Sequence, residues 1–190
     1  MTRYWFCRHG ESTANVGGWL SGWDDVELTE VGMAQASAQA RAVAALPIGR
    51  CLTSDLRRAR ITAKEMLAGH PGVPVHAEPA LRERHMGEFQ GEPVQRVLEE
   101  PEFRRSLRQW RGAPRGGEPH VDLTRRALAA LRHWDDGTPT LVVAHGALLR
   151  DLLGVIDGKP PAEFLEERVL GNCELASRQV DLRAVRLPEV

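Results

Sequence analysis

Two histidines end two stretches built alike. His9 follows Tyr4-Trp5-Phe6-Cys7-Arg8 and precedes Gly10; His145 follows Thr140-Leu141-Val142-Val143-Ala144 and precedes Gly146. Each apolar run lacks alternation and suits a strand buried on both faces of a parallel sheet. A cation and an imidazole at the end of such a strand are costly for a core and useful for a site. Ligands of open α/β sheets bind outside the carboxyl ends of the strands. If the two strands are neighbours, both histidines emerge on one edge. The turn Ser54-Asp55-Leu56-Arg57-Arg58-Ala59 follows a third short strand and opens a helix, so it reaches that edge too. Gly10 permits a sharp turn and lets an anion approach main-chain N–H groups. Two histidines and at least two arginines, with helix N-termini nearby, describe a pocket for a dianionic phosphoryl group. A carboxyl acid can come from Glu83 or from Glu88, on the loop Leu81 to Gly91.

The elements that must position these groups follow from the chain in order. Thr29 caps a helix whose apolar face is Val31, Ala34, Ala38, Ala42 and Ala45, ending at Leu46-Pro47. Arg50-Cys51-Leu52-Thr53 is a strand; Ser54 caps a helix from Asp55 to about Ala68. Val73 to Val75 is an edge strand. Arg96 to Arg111 is helical, with Pro101 as a start, and Asp122 to Trp134 is amphipathic, with Leu123, Ala127, Ala130, Leu131 and Trp134 on one face. A helix from Ala147 to Leu153 follows His145-Gly146, and Cys173 to Val180 is a last strand. Strands alternating with helices give an α/β fold: a three-layer sandwich, a mostly parallel central sheet with helices on both faces. Residues 1–190 read as a single domain, with about 82–118 as an excursion over the site.

Composition excludes several classes of function. The chain has 190 residues, 42% of them hydrophobic and 27% charged, with a net charge of −1. That balance gives no reason to expect nucleic acid or a membrane as partner, and no apolar run approaches membrane-spanning length. Met1-Thr2-Arg3 leads straight into the first strand without a signal-peptide pattern. Cys7, Cys51 and Cys173 are widely spaced within apolar segments. They read as reduced core thiols of a cytoplasmic protein, neither a disulfide frame nor a zinc site. Of the 25 basic residues only Lys64 and Lys159 are lysines, so an arginine counts here only within a motif.

Six ordered motifs resemble the histidine phosphatase superfamily, which includes the cofactor-dependent phosphoglycerate mutases. They are Arg8-His9-Gly10-Glu11-Ser12…Asn15, Leu28-Thr29…Gly32…Gln35-Ala36, Ser54-Asp55-Leu56…Arg58-Ala59…Thr62-Ala63, Leu81…Glu83…Gly87…Gly91, Gly116-Gly117-Glu118…Asp122…Arg126 and Ala144-His145-Gly146. The resemblance implies that His9 is the nucleophile and becomes phosphohistidine. It makes Arg8, Asn15, Arg58 and His145 phosphate-binding residues, Glu83 the proton donor, and Ser21 and Gly22 substrate contacts. It implies no cofactor and no metal, the guanidinium groups taking the metal's part. Arg57 then reads as a solvated helix residue, His85 as an exposed loop histidine, and His70, His76, His120 and His133 as surface residues.

The loop Ser21 to Leu28 and the run Glu83-Arg84-His85-Met86-Gly87 resemble the mutase branch. The short span from Glu83 to His145, Ala147 where mutases carry asparagine, and the stretch from Gly116 resemble the phosphatase branch. The sequence therefore favours a phosphatase acting on a small phosphorylated metabolite; the alternative is a cofactor-dependent phosphoglycerate mutase. A non-catalytic phosphate-binding module is disfavoured by the intact His9, Arg8, Arg58, Glu83 and His145. Arg104, Arg105, Arg108, Arg111 and Arg115 are diluted by glutamates and read as a rim attracting an anionic substrate, not a nucleic-acid surface. Oligomeric state is not legible, and a homodimer is compatible with the sequence.

Overall fold

The structure, a computed structural model, describes residues 1–189. Its elements run β1 (Thr2–Arg8), α1 (Thr13–Gly17), α2 (Glu30–Ala44), β2 (Arg50–Thr53), α3 (Arg57–Met66), β3 (Val75–Ala77), α4 (Val94–Val97), α5 (Pro101–Arg108), α6 (His120–His133), β4 (Thr140–Ala144), α7 (Gly146–Ile156), α8 (Pro161–Phe164) and β5 (Leu175–Val180). The sheet order is β3-β2-β4-β1-β5. Four strands are parallel, and β5 closes one edge antiparallel to β1. The α/β architecture is thus the expected one, with helices on both faces.

Side chains alternate along each strand, so β1 supplies both cores. Tyr4 and Phe6 join Leu52 and Val142 against Leu123, Leu131, Leu148 and Leu152 of α6 and α7. Trp5 and Cys7 join Cys51, Leu141 and Val143 against Ala36 and Val43 of α2 and Ala63 and Met66 of α3. All five strand positions of β4 are buried, which is what its unalternated sequence demands. Register places Arg8 beside Ala144, so the two strand-histidine-glycine stretches end side by side.

Several boundaries differ from expectation, each for a local reason. Thr29 does cap α2, accepting from Gly32 N, but the buried face is Gly32, Ala36 and Val43, and Val31 is exposed. Alanine recurs all round this helix, so periodicity there carries little signal. Ser54 is not a helix cap: its Oγ accepts from Leu56 N, and α3 begins at Arg57 with Leu56 as N-cap. The edge strand lies at Val75–Ala77, beyond Pro74, which lacks an N–H for the ladder. Arg96 to Arg111 divides into α4 and α5, because Pro101 starts a new helix at its N1 position. The last strand starts at Leu175, Cys173 having a left-handed φ of 57° that no strand accommodates.

Between β3 and α6 the chain leaves the sheet, carrying single 3₁₀ turns at Pro79–Leu81 and Gly87–Phe89 besides α4 and α5. Met86, Val97 and Phe103 form a small core there. No helix among the described residues is long and apolar enough to cross a membrane. Cys7, Cys51 and Cys173 are free and buried.

Candidate active site

The site lies at the carboxyl edge of β1 and β4. His9 N donates to Ala144 O at 3.0 Å, and the His9 and His145 ring centroids are 5.2 Å apart. Both rings are buried. His9 Nδ1 is 2.7 Å from Gly10 O. A carbonyl only accepts, so Nδ1 carries the proton and Nε2 keeps its lone pair. Burial, then the Arg58 charge, push His9 down to about 3; the neighbouring Arg8 adds to this. His145 is likewise held well below the ordinary histidine range by burial and by Arg58. Both imidazoles are therefore neutral at pH 7.

Two guanidinium groups face them. Arg8 Nη1 donates to Leu170 O at 2.9 Å. Arg58, projecting from α3, donates through Nη1 to Asp24 O at 2.7 Å and through Nη2 to Gly22 O at 2.9 Å. Gly22 tolerates this because it adopts φ 44°, and Ser21 O closes the turn by accepting from Asp24 N. Arg8 Nε, Arg58 Nε and both ring nitrogens of His145 are buried without a hydrogen-bond partner among the described residues. An unpaired buried donor costs about 1–3 kcal/mol, so a cluster of them marks a place for a ligand with several acceptors.

The turn itself is held from behind. Gly10 N donates to Thr62 Oγ1 at 3.0 Å, and Glu11 N to Gln35 Oε1 at 2.9 Å. Those N–H groups are engaged by α3 and α2, so the expectation that an anion would reach them is corrected. Glycine is required here for close approach: a Cβ on Gly10 would lie 2.5 Å from Gly32 O, and one on Gly32 would lie 2.0 Å from Glu11 O. Asn15 Oδ1 accepts from Ser12 N and from Asn172 Nδ2, leaving the Asn15 Nδ2 protons for another acceptor. Asn172 Nδ2 also donates to His9 O at 2.9 Å.

Glu83 reaches the edge from the excursion. Its Oε1 accepts from Arg84 N at 2.8 Å and Leu148 N at 3.2 Å, and its Oε2 from Ala147 N at 3.1 Å. The N-terminus of α7 therefore holds this carboxylate, a favourable end for a negative group, and not the phosphate as the sequence suggested. Trp23 Nε1 and Arg126 Nη2 both donate to Glu83 O, and the Arg82 and Arg126 guanidiniums lie over the Trp23 ring. Glu88 is exposed and pairs with Arg115. Arg57 is exposed and pairs with Glu27.

His9, Arg8, Arg58, His145 and Glu83 thus converge, with Asn15 beside them and Gly22 bound through Arg58, Ser21 lying next to it in the same turn. Of the other histidines, His133 is exposed, while His70 Nε2 donates to Val43 O and His76 packs on Trp134. His120 is the clear correction: it is buried between Arg84 and Asp151, not on the surface. Nothing in its spacing shows this, because both partners are distant in sequence. Thr62 and Gln35 belong to motifs already noted, but Asn172 carried no signal. Among the described residues no cluster of histidine, cysteine or carboxylate side chains has the makings of a metal site.

Paired histidines and arginines at the carboxyl edge of a parallel sheet define an enzyme of phosphoryl chemistry. Residues 4–187 match the histidine phosphatase superfamily, branch 1, and the chain belongs to that superfamily. It is 37% identical over 174 residues to the 2,3-bisphosphoglycerate-dependent phosphoglycerate mutase 2 of Gloeobacter violaceus, covering 82% of this chain and 76% of that protein. It is 33% identical to the adenosylcobalamin/alpha-ribazole phosphatase of Salmonella typhimurium, covering 90% and 87%. The structure of mycobacterial glucosyl-3-phosphoglycerate phosphatase complexed with VO3 superposes with a TM-score of 0.84 at 31% identity, over 93% of this chain and 92% of that one. Phosphatases and mutases both stand among its relatives.

Proposed function

We propose that this enzyme hydrolyses phosphomonoesters of a small metabolite through a phosphohistidine on His9. The observation that carries the reading is the ring of buried, unpartnered nitrogens of Arg8, Arg58 and His145 around a neutral His9. The His9 Nε2 lone pair attacks phosphorus while the bond to the leaving oxygen breaks. Arg8, Arg58, His145 and the Asn15 amide take the equatorial oxygens, where charge is spread in the transition state. Glu83 gives its proton to the leaving oxygen. Oε1 already accepts two N–H bonds and Oε2 one, so Oε2 is the oxygen with room for that proton. In the second half-reaction the Glu83 carboxylate takes a proton from water, whose oxygen attacks phosphorus as the N–P bond breaks. Inorganic phosphate leaves and His9 is restored.

Water as acceptor is favoured by the state of the cations above the site. A mutase must hold a second phosphate. Here Arg82 is forked onto Asp55, and Arg126 onto Glu118 and the carbonyls of Ala80 and Glu83. Arg115 meets Glu88 and Glu102, and Arg108 meets Glu166. The guanidinium groups of Arg82, Arg126, Arg115 and Arg108 thus already have acid partners. The organic half of the substrate is then a group without a second phosphate. Incubation with 3-phosphoglycerate and catalytic 2,3-bisphosphoglycerate tests the choice. We expect release of inorganic phosphate from simple monoesters without a primer, and an acid-labile, alkali-stable label on His9. Fast 2-phosphoglycerate formation with negligible free phosphate would establish the mutase reading instead.

A further inference from the structure

Arg84, His120 and Asp151, outside the phosphate pocket, are sealed from solvent and touch one another. The reaction as derived uses none of them. Arg84 Nη1 lies 2.8 Å from His120 Nε2, and His120 Nδ1 lies 2.6 Å from Asp151 Oδ2. A guanidinium can only donate, so His120 Nε2 accepts and its proton sits on Nδ1, given to Asp151. The imidazole is neutral with one tautomer fixed from both sides, and burial as the leading cause holds it below the ordinary range. Asp151 Oδ1 is occupied by Arg150 Nε and Nη2. Arg84 Nε donates to the Glu118 carbonyl, and Nη2 to those of Ser106 and Gly112.

The chain closes on itself around the acid. Glu83 is the residue before Arg84. Its carboxylate is held by Ala147 N and Leu148 N at the start of α7. Asp151, the far end of the chain of contacts, lies on the same helix one turn further on. Two attachments thus join this short segment to α7, one through the Glu83 carboxylate and one through Arg84, His120 and Asp151. Replacing such a buried charged network by apolar side chains is often neutral for stability, so stability alone does not account for it.

We propose that Arg84, His120 and Asp151 are positioning residues that set Glu83 against α7 and so govern proton delivery to the leaving group. The proposal rests on the reading of Glu83 as the acid. Misplacement of a catalytic group by about 1 Å costs on the order of a hundredfold. It matters only where proton donation matters.

The test is the dependence of kcat/KM on leaving-group pKa, from nitrophenyl phosphate to an alkyl phosphate, in wild type, Glu83→Gln, His120→Gln and Asp151→Asn. His120→Gln keeps an acceptor for Arg84 and loses the link to Asp151; Asp151→Asn is the milder change, should the first not fold. We expect both relay variants to lose on the order of ten- to a hundredfold with the alkyl ester and little with nitrophenyl phosphate. Added to Glu83→Gln, either should cause no further loss with the alkyl ester. Equal losses with every leaving group, beside a steep dependence in Glu83→Gln, would show a merely structural network and overturn the proposal alone. A Glu83→Gln variant without leaving-group dependence would overturn the acid assignment, and the relay with it.

Discussion

Burial is the first cause of the low proton affinity of His9, and the Arg58 charge the second. An imidazole held at about 3 keeps its lone pair through mildly acidic conditions. In an NMR titration of the free protein, His9 should remain neutral at pH 5. A His9 resonance titrating near the ordinary value of about 6.5 would contradict the wiring described here. Arg58→Met should raise the His9 pKa without restoring it, because the larger cause persists. At this scale the sequence was a good guide to groups at strand ends, such as His9 and His145, whose environment is announced by the apolar run before them. It misplaced His120 on the surface and was silent on Asn172; their partners lie 31 and 163 residues away.

Among the elements, α2 shows how a helix can serve a site without touching a ligand. Gly32 brings its backbone against Glu11, and Gln35 takes the Glu11 N–H. Gly32→Ala would place a methyl group 2.0 Å from the Glu11 carbonyl oxygen, against backbone that cannot swing aside as a side chain could. Overpacking of this kind costs about 1–3 kcal/mol. We expect a lowered unfolding midpoint together with a fall in kcat for every substrate, whatever its leaving group. A variant with wild-type kcat would show that the turn is not held by this contact. The helix was legible in sequence from Thr29 and Glu30, but its buried face was not, since alanine marks no side. For α6 the large residues Leu123 and Leu131 do mark one, and that face was read correctly. The excursion was legible only as irregular chain, because its shape depends on carbonyls gathered round Arg84 and on the small core at Phe103.

For the molecule as a whole, three buried neutral histidines set the response to acid. His9, His120 and His145 all have pKa values below that of an unfolded histidine. Below about pH 6.5 the unfolded chain binds protons that the native state refuses. Stability is therefore fully present above that pH and falls as the pH drops towards the native values. Each histidine contributes a limiting slope of about 1.4 kcal/mol per pH unit. Glu174, lowered to about 2 by Arg168 and the Gly171 N–H, adds its loss only at lower pH. Denaturant unfolding between pH 7.5 and 5 should show the decline; a flat profile would mean that these rings take up protons in the native state.

The sheet order also has a consequence in time. Among the five strands described, β1 is made before the others, yet its two neighbours are β4 and β5, the last of the five. Until residue 140 has been made, Tyr4, Trp5, Phe6 and Cys7 have no strand to pair with. Even then the turn at His9 lacks Leu170 O for Arg8 and the Asn172 amide for the His9 carbonyl. Folding of this chain is thus a matter of waiting: the segment bearing Arg8 and His9 is made before β4 and β5 and is completed only when they have followed it.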